Sequence, residues 1–204
     1  METGLSISKF IGSKALSVYK SNRRQRILDA ISHEKLNIDS SLVKNEDFIA
    51  SYIATEDALM KASSKSKFNF LLNLFLTGCS SQRIHNEPDA YQEVLNMVNE
   101  LSERELTILY HIYCYQQEYG IMKGSLERSN YHQVDYICKK TSIDKLLIVA
   151  LLTRLRRTGL LLTLMEYNGK SDLMMNGVEI MIISPLAEYI KSWVYNAIEG
   201  VYIR

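Results

Sequence analysis

The chain is poor in the residues that interrupt regular structure. It has 2 prolines and 9 glycines in 204 residues, which leaves little room for linkers or low-complexity tracts. Its three cysteines, Cys79, Cys114 and Cys138, form no CxxC pair and are odd in number, which indicates a reducing compartment rather than a disulfide framework. The formal net charge is only +1, so no global field attracts the protein to nucleic acid or to a membrane.

The sequence predicts neither a targeting segment nor a membrane span. The first residues, METGLSISKF, lack the basic head and long apolar run of a signal peptide. The most apolar windows, residues 68–76 and 146–152, are far shorter than the roughly 20 residues that cross a bilayer. With 47% hydrophobic and 23% charged residues, the composition is that of an ordinary globular protein, which we expect to be cytoplasmic.

The first part of the chain has helical periodicity. Residues 5–38 predict helix, with a break expected near Ser21–Asn22. Asn45 is expected to cap a second helix. The Ser63–Ser64 pair is expected to cap a third, whose apolar second half, FNFLLNLFL, should end at Gly78.

A domain boundary is expected at residues 79–87, CSSQRIHNE, which are polar and without periodicity. Pro88 then takes a first helical position, where its missing N–H costs nothing. The sequence therefore predicts a helical domain over residues 1–78 and a second domain over residues 88–204.

The second domain has the element order of a winged helix. Ser102 and Glu105 form a capping-box sequence ahead of one helix, and two more helical stretches follow. Residues 160–167 and 178–183 predict strands joined by NGKSDLMMNG with its Asn-Gly turns, and a last helix follows. We therefore expect a mainly α protein: a helical N-terminal domain plus a winged-helix-like C-terminal domain with one β-hairpin.

Four segments resemble a known family. They are NEDFIASYIATEDALMKASSKSKFNFLLNLFLTG, ELSERELTILYHI, LTRLRRTGLL and ISPLAEYIKSW, which together span most of Asn45 to Trp193. As patterns of residue type they resemble the Abi-alpha type of bacterial proteins, which are linked to abortive phage infection. The resemblance implies a helical N-terminal part, a winged-helix-like C-terminal part and a role in phage defence, and it supplies no catalytic residue.

No motif in the sequence predicts catalysis, a metal or a cofactor. His111 and Cys114 have i,i+3 spacing on a helix, but no second pair of metal ligands follows. Gly120 and Gly124, in GIMKGS, lack the preceding strand and the Lys-Ser/Thr pair of a phosphate loop. No nucleophile elbow or Cys-His signature appears. We expect no catalytic residues, no metal site and no cofactor, and a protein that is not an enzyme.

Cations concentrate in two places. Between Thr3 and Leu28 the chain has six Lys and Arg and no Asp or Glu, and a second group lies at the end of the third helix of the winged-helix pattern and in its wing. Phosphates of a nucleic acid or of lipid head groups are one partner for them. The alternative, which the net charge of +1 favours, is a solvated surface whose cations pair with Asp and Glu elsewhere. The candidate phosphate contacts are Lys20, Arg23, Arg24, Arg26, Arg154, Arg156, Arg157 and Lys170.

The stretch SIDKLLIVALLTRLRRTGLLL, residues 142–162, indicates whether this helix contacts DNA or protein. Early residues of a recognition helix contact base edges, yet of the positions expected to face outward here only Lys145 can donate to a base. A helix that is apolar all round is buried on both sides, by the N-terminal domain, a partner or a second copy. Left bare, it forms the kind of patch that marks an interface. We assign Lys145, Leu146, Val149 and Ala150 to a partner interface.

The same periodicity predicts a buried core. Its expected members are Phe70, Leu71, Leu74, Phe75, Leu147, Leu151 and Leu155.

These observations predict a non-catalytic protein-interaction module with a degenerate winged helix, bound to a protein partner or to a second copy. The resemblance adds a role in phage defence or a related stress response. The alternative is a DNA-binding transcriptional regulator that contacts phosphates, without sequence preference, through basic residues 9–26 and the wing arginines. An enzyme whose motifs are not recognisable is a third alternative.

Overall fold

In the computed structural model of the protein, the described residues are 3–33, 44–120, 130–167, 180–189 and 193, and they are mainly helical. Two short strands pair into an antiparallel sheet. Along the chain, the elements are α1 (Thr3–His33), α2 (Glu46–Lys61), α3 (Lys65–Ser80), α4 (Arg83–Asn86), α5 (Pro88–Glu100), α6 (Glu103–Tyr119), α7 (Asn130–Thr141), α8 (Lys145–Arg157), β1 (Leu161–Thr163), α9 (Leu164–Tyr167) and β2 (Met181–Ile183). Of the helices in these ranges, none is long and apolar enough to cross a membrane.

The chain divides into two compact units between Asn99 and Glu100. This division differs from the expected boundary at residues 79–87, which instead complete α3 and form α4 inside the first unit. Gly78 does not end α3, because the backbone remains helical as far as Ser80. The polar segment is anchored by one apolar side chain, Ile84, which is buried.

Side-chain caps begin the helices of the first unit where the sequence predicts them. The Asn45 side chain accepts hydrogen bonds from the N–H groups of Asp47 and Phe48 at the start of α2. Ser64 accepts one from the Lys67 N–H at the start of α3. The break predicted near Ser21–Asn22 is wrong: α1 passes through both residues without interruption.

The core of the first unit is built around α3, as its apolar sequence predicts. Phe70, Leu71, Leu74 and Phe75 are all buried. Helix α5 contributes Tyr91, whose hydroxyl lies 2.6 Å from the Thr55 hydroxyl of α2 and whose ring meets Phe75 edge-on. The two buried hydroxyls of Thr55 and Tyr91 therefore satisfy each other, as buried hydroxyls require.

In the second unit, α6 packs against α7, α8 and β2. The predicted capping box is confirmed, with the Ser102 hydroxyl accepting from the Glu105 N–H and the Ser102 N–H donating to the Glu105 carboxylate. Strands β1 and β2 are antiparallel, with Leu162 opposite Ile182. The buried Gln133 side chain of α7 pairs with both backbone groups of Met181, at 2.8 and 3.0 Å.

The strands are shorter than the sequence predicts, and the difference has a local cause. Residues 164–167 form α9 instead of continuing β1. Thr163 and Glu166 form a reciprocal cap, because the Thr163 hydroxyl accepts from the Glu166 N–H at 3.1 Å and the Glu166 carboxylate accepts from the Thr163 N–H at 2.8 Å. Of the second predicted strand, Met181–Ile183 is observed, Ile180 is not part of it, and residues 178–179 lie outside the described residues, as does most of the loop predicted to join the strands.

Helix α8 turns a different face to the core from the one predicted. Leu155 is buried as expected, but Leu147 is 37% exposed and Leu151 is half-buried. The inward stripe is Ile148, Leu152 and Leu155, whose 4–3 spacing places them on one side of the helix. The run Leu146–Leu152 therefore has one buried side only.

We expect α8 to tolerate the shortening of an outward side chain but not of an inward one. Leu152→Ala should lower the free energy of unfolding by about 2–5 kcal/mol, because it empties a fully buried site. Leu146→Ala, the same substitution on the exposed side, should change it by no more than about 0.5 kcal/mol. The fluorescence of the buried Trp193, the one tryptophan in the chain, reports unfolding of this unit in urea. Equal losses in the two variants would contradict the observed orientation of α8.

We also expect the second unit to lose stability in acid through Glu166. The Arg156 guanidinium and the Thr163 N–H hold the pKa of Glu166 down, from 4.5 to about 2. Its contribution is therefore complete above pH 4.5 and is lost as the pH falls toward 2. Since the side chain is part-exposed, the contribution is about 1 kcal/mol or less.

The measurement is the difference in free energy of unfolding between pH 6 and pH 3, followed by Trp193 fluorescence. Glu166→Gln should reduce that difference. Glu100→Gln, at an exposed residue that contacts neither Arg156 nor Thr163 in the described structure, should leave it as in the wild type. An acid response that Glu166→Gln does not change would contradict the assignment.

Candidate functional site

The candidate site is built at the turn between α7 and α8. Helix α7 ends where the Ser142 N–H donates to the Cys138 carbonyl, and Ser142 itself takes the left-handed backbone conformation, with φ of 57°. Asp144 then caps α8, its carboxylate accepting from the N–H groups of Leu146 and Leu147. A carboxylate at this position also complements the positive end of the helix dipole. A three-residue turn, residues 142–144, thus joins α7 to α8, which begins at Lys145.

The outward side of α8 near its start is apolar and bare. We name Leu146, Leu147, Val149 and Ala150 the α8 surface. Leu146 is 81% exposed, Leu147 and Ala150 are exposed, and Val149 is half-buried. Three of the four predicted interface residues, Leu146, Val149 and Ala150, therefore lie together on this surface, and Leu147 joins them.

The fourth predicted interface residue, Lys145, forms an ion pair within its own unit. Its ammonium lies 2.5 Å from the carboxylate of Asp135 on α7. This contact raises the pKa of Lys145 and lowers the pKa of Asp135, so both groups stay charged together. Lys145 is consequently part of the scaffold that fixes α7 to α8, at the edge of the α8 surface.

A second ion pair fixes the other end of α8. The Arg154 guanidinium lies 3.0 Å from the carboxylate of Glu105, which is fully buried at the start of α6. The same carboxylate accepts hydrogen bonds from the N–H and hydroxyl of Ser102. Glu105 therefore joins the start of α6 to α8, and Lys145 and Arg154 contact neighbouring helices near the two ends of α8.

A groove of about 720 Å³ runs beside the α8 surface. Its walls are the outward side of the first half of α6, the α7–α8 turn and Leu147. Arg104 and Lys140 on its rim are exposed cations, and Asp144 is an exposed anion. The half-buried His111 of α6 lines it as well, and burial followed by the nearby Lys140 lowers the pKa of His111, which favours the neutral imidazole. The groove thus carries charges of both signs.

The three arginines of α1 each make contacts within the first unit. Arg23 donates to the backbone carbonyls of Leu59 and, at 2.8 Å, of Ala62, at the C-terminal end of α2 where a cation is favoured. Arg24 forms an ion pair with Glu56 of α2.

Arg26 and Lys20 complete the α1 group. Arg26 donates to Asn69 and lies over the ring of Phe68, 4.2 Å from its centre. Lys20 is exposed. Of these four residues, Arg24 alone pairs with a carboxylate among the described residues, as the alternative of paired cations expects. Arg23 and Arg26 contact neutral groups of the same unit, and Lys20, Arg24 and Arg26 are all exposed.

The arginines at the end of α8 divide in the same way. Arg154 pairs with Glu105, and Arg156 pairs with Glu166 through two hydrogen bonds of 2.6 and 3.2 Å. Arg157 is exposed, and the described ranges contain no ion pair to it. Lys170 lies outside the described residues.

The sequence identifies the clustered cations but not the acidic residues that pair with them. Glu56, Asp135 and Glu166 are far along the chain from the cations they pair with, so no local pattern identifies the pairs. A Thr-x-x-Glu cap at residues 163–166 was the one available signal. His111 and Cys114 do not become part of a metal site: the described ranges hold no group of three or more His, Cys, Asp and Glu that could bind a metal ion.

Comparison with known proteins yields no match: no protein-family model, curated protein or solved structure is similar to this chain. The resemblance to Abi-alpha-type proteins therefore remains a prediction from the sequence.

Proposed function

We propose that the second unit is a non-catalytic protein-interaction module on a degenerate winged-helix-like scaffold, and that the α8 surface is its contact surface. The observation that carries the proposal is Leu146, a leucine 81% exposed on a capped and doubly anchored helix. An exposed leucine alone is ordinary. Here it adjoins Leu147, Val149 and Ala150 and a groove, which together form an apolar patch on a rigid support.

The position of α8 supports protein contacts over base contacts. In a winged helix the start of this helix enters the major groove, where it needs donors and acceptors for base edges. Lys145, the one donor among the outward positions named above, is engaged by Asp135, and the neighbouring outward side chains are Leu146 and Ala150. A module of this kind would recruit a protein in the phage-defence or stress response that the family resemblance implies.

We expect the α8 surface to bind a protein in the cells that express this chain. A photoreactive residue at Thr153, which is exposed two turns after Leu146 on the same side of α8, should give a discrete covalent adduct. Leu146→Ser should reduce that adduct at least about tenfold, because it removes the apolar anchor. Ile53→Ser, which changes a 54%-exposed aliphatic residue of α2, should leave it unchanged.

The mass of the adduct identifies the partner, and a thermal melt of each variant checks that the fold is intact. The proposal fails if position 153 yields no adduct, or if the adduct persists in the Leu146→Ser variant.

DNA binding is the competing function, and Lys20 and Arg157 are the observations in its favour. Both are exposed cations of the predicted phosphate set, and no ion pair to either occurs in the described parts of the chain. Two such contacts give weak binding without sequence preference.

We therefore expect duplex titrations to show weak binding that is lost between about 50 and 200 mM salt, as phosphate contacts are. Lys20→Ala combined with Arg157→Ala should weaken it further. Arg24→Ala combined with Arg156→Ala, which removes cations from internal ion pairs, should lower stability instead. Tight, salt-resistant and sequence-selective binding would overturn the interaction-module proposal in favour of a DNA-binding regulator.

A further inference from the structure

Helix α8 carries opposite charges at its two ends and an apolar surface between them. Its start has the exposed carboxylate of Asp144, and its end has three exposed arginines. Arg154 and Arg156 are in ion pairs, and Arg157 is in none among the described residues. Between them the outward residues are Leu146, Ala150 and Thr153. A surface of a single charge sign selects a partner of the opposite sign, whereas a surface with both signs in sequence is complementary to its own reverse.

We propose that the partner of the α8 surface is a second copy of this chain, paired through two antiparallel α8 helices; this rests on the proposed function, since it uses the same surface. A two-fold axis makes each residue of one copy meet its counterpart in reverse order. With Ala150 at the axis, Asp144 lies six residues before Ala150 and is level with the position six residues after Ala150 in the other copy. It therefore lies beside Arg157 of that copy. Antiparallel pairing also places each positive helix start beside a negative helix end.

The shape of the outward side fits this pairing. Ala150 is small and exposed, so two helices can approach closely where they cross. Leu146 then lies against the partner's Thr153 and the aliphatic part of its Arg154, which is held in place by Glu105. A parallel pair would instead bring the two Arg157 guanidinium groups together, which like charges disfavour.

The position of the axis gives a direct test by disulfide formation. Ala150→Cys should form an intermolecular disulfide under mild oxidation. The two α-carbons meet at the crossing, within the roughly 4.4–6.8 Å that a disulfide requires. Arg157→Cys is the matched control: seven residues at about 1.5 Å rise place each copy about 10 Å from the axis and the pair about 20 Å apart. It should not cross-link. The wild type gives the background from Cys79, Cys114 and Cys138, which are all half-buried.

Sizing over a range of concentrations gives the second arm. The wild-type chain should be a dimer at micromolar concentration. Leu146→Ser should raise the dissociation constant of the dimer at least about tenfold. Arg157→Asp should raise it about threefold or more at low salt, and this difference from the wild type should disappear as salt is added. Cross-linking through Arg157→Cys instead of Ala150→Cys would overturn the antiparallel arrangement, and a wild-type monomer at every concentration would overturn the pairing.

The two proposals fail separately. If the wild type is a monomer but the Thr153 probe captures a different protein in a Leu146-dependent manner, the interaction surface stands and the second copy is wrong. If the probe captures nothing and the chain is a monomer, both proposals fail. A Leu146-dependent adduct with the mass of two copies supports both.

Discussion

The second unit depends on one buried carboxylate. Glu105 is fully buried, and a buried charge is tolerated only when it is paired and hydrogen-bonded. Its partners are the backbone and hydroxyl of Ser102, which start α6, and the guanidinium of Arg154 on α8. Because one carboxylate serves both helices, the start of α6 fixes where α8 lies. Removing either partner would leave a buried charge short of a contact, so the arrangement is difficult to change locally.

Fixing α8 in this way determines which leucines are left outside. Seven consecutive apolar residues, Leu146–Leu152, cannot all face one core, because a helix presents them around its whole circumference. In the observed rotation Ile148 and Leu152 face inward, and the pairs of Arg154 with Glu105 and of Lys145 with Asp135 are compatible with it. Leu146 is then directed outward. The exposed apolar surface therefore follows from the way α8 packs, and the helix beneath it has an ion pair near each end.

The sequence predicts elements whose determinants are local and misses those determined by distant residues. The caps at Asn45, Ser64 and Ser102 depend on two or three neighbouring residues and were predicted correctly. The face that α8 buries was predicted incorrectly for Leu147 and Leu151, because apolar periodicity is nearly uniform there and packing against other elements of the unit decides the rotation. The end of β1 was missed although its cause, the cap at residues 163–166, is local, since a run of β-favouring residues outweighed it.

The charges follow the same principle, and they bear on the kind of partner. A group of cations without neighbouring carboxylates looks like a phosphate-binding surface, yet Arg23 stabilises the end of α2 and Arg24 pairs with Glu56. The pair of Arg24 with Glu56 cancels one of these charges, which weakens the field that would draw the chain to a polyanion. Among the described residues of α8 and its cap, the exposed charges outside ion pairs are the carboxylate of Asp144 and the guanidinium of Arg157, with the exposed leucines between them. Recognition by such a surface depends on the order of charges along the helix and on the fit of Leu146, and both of these act only at close range.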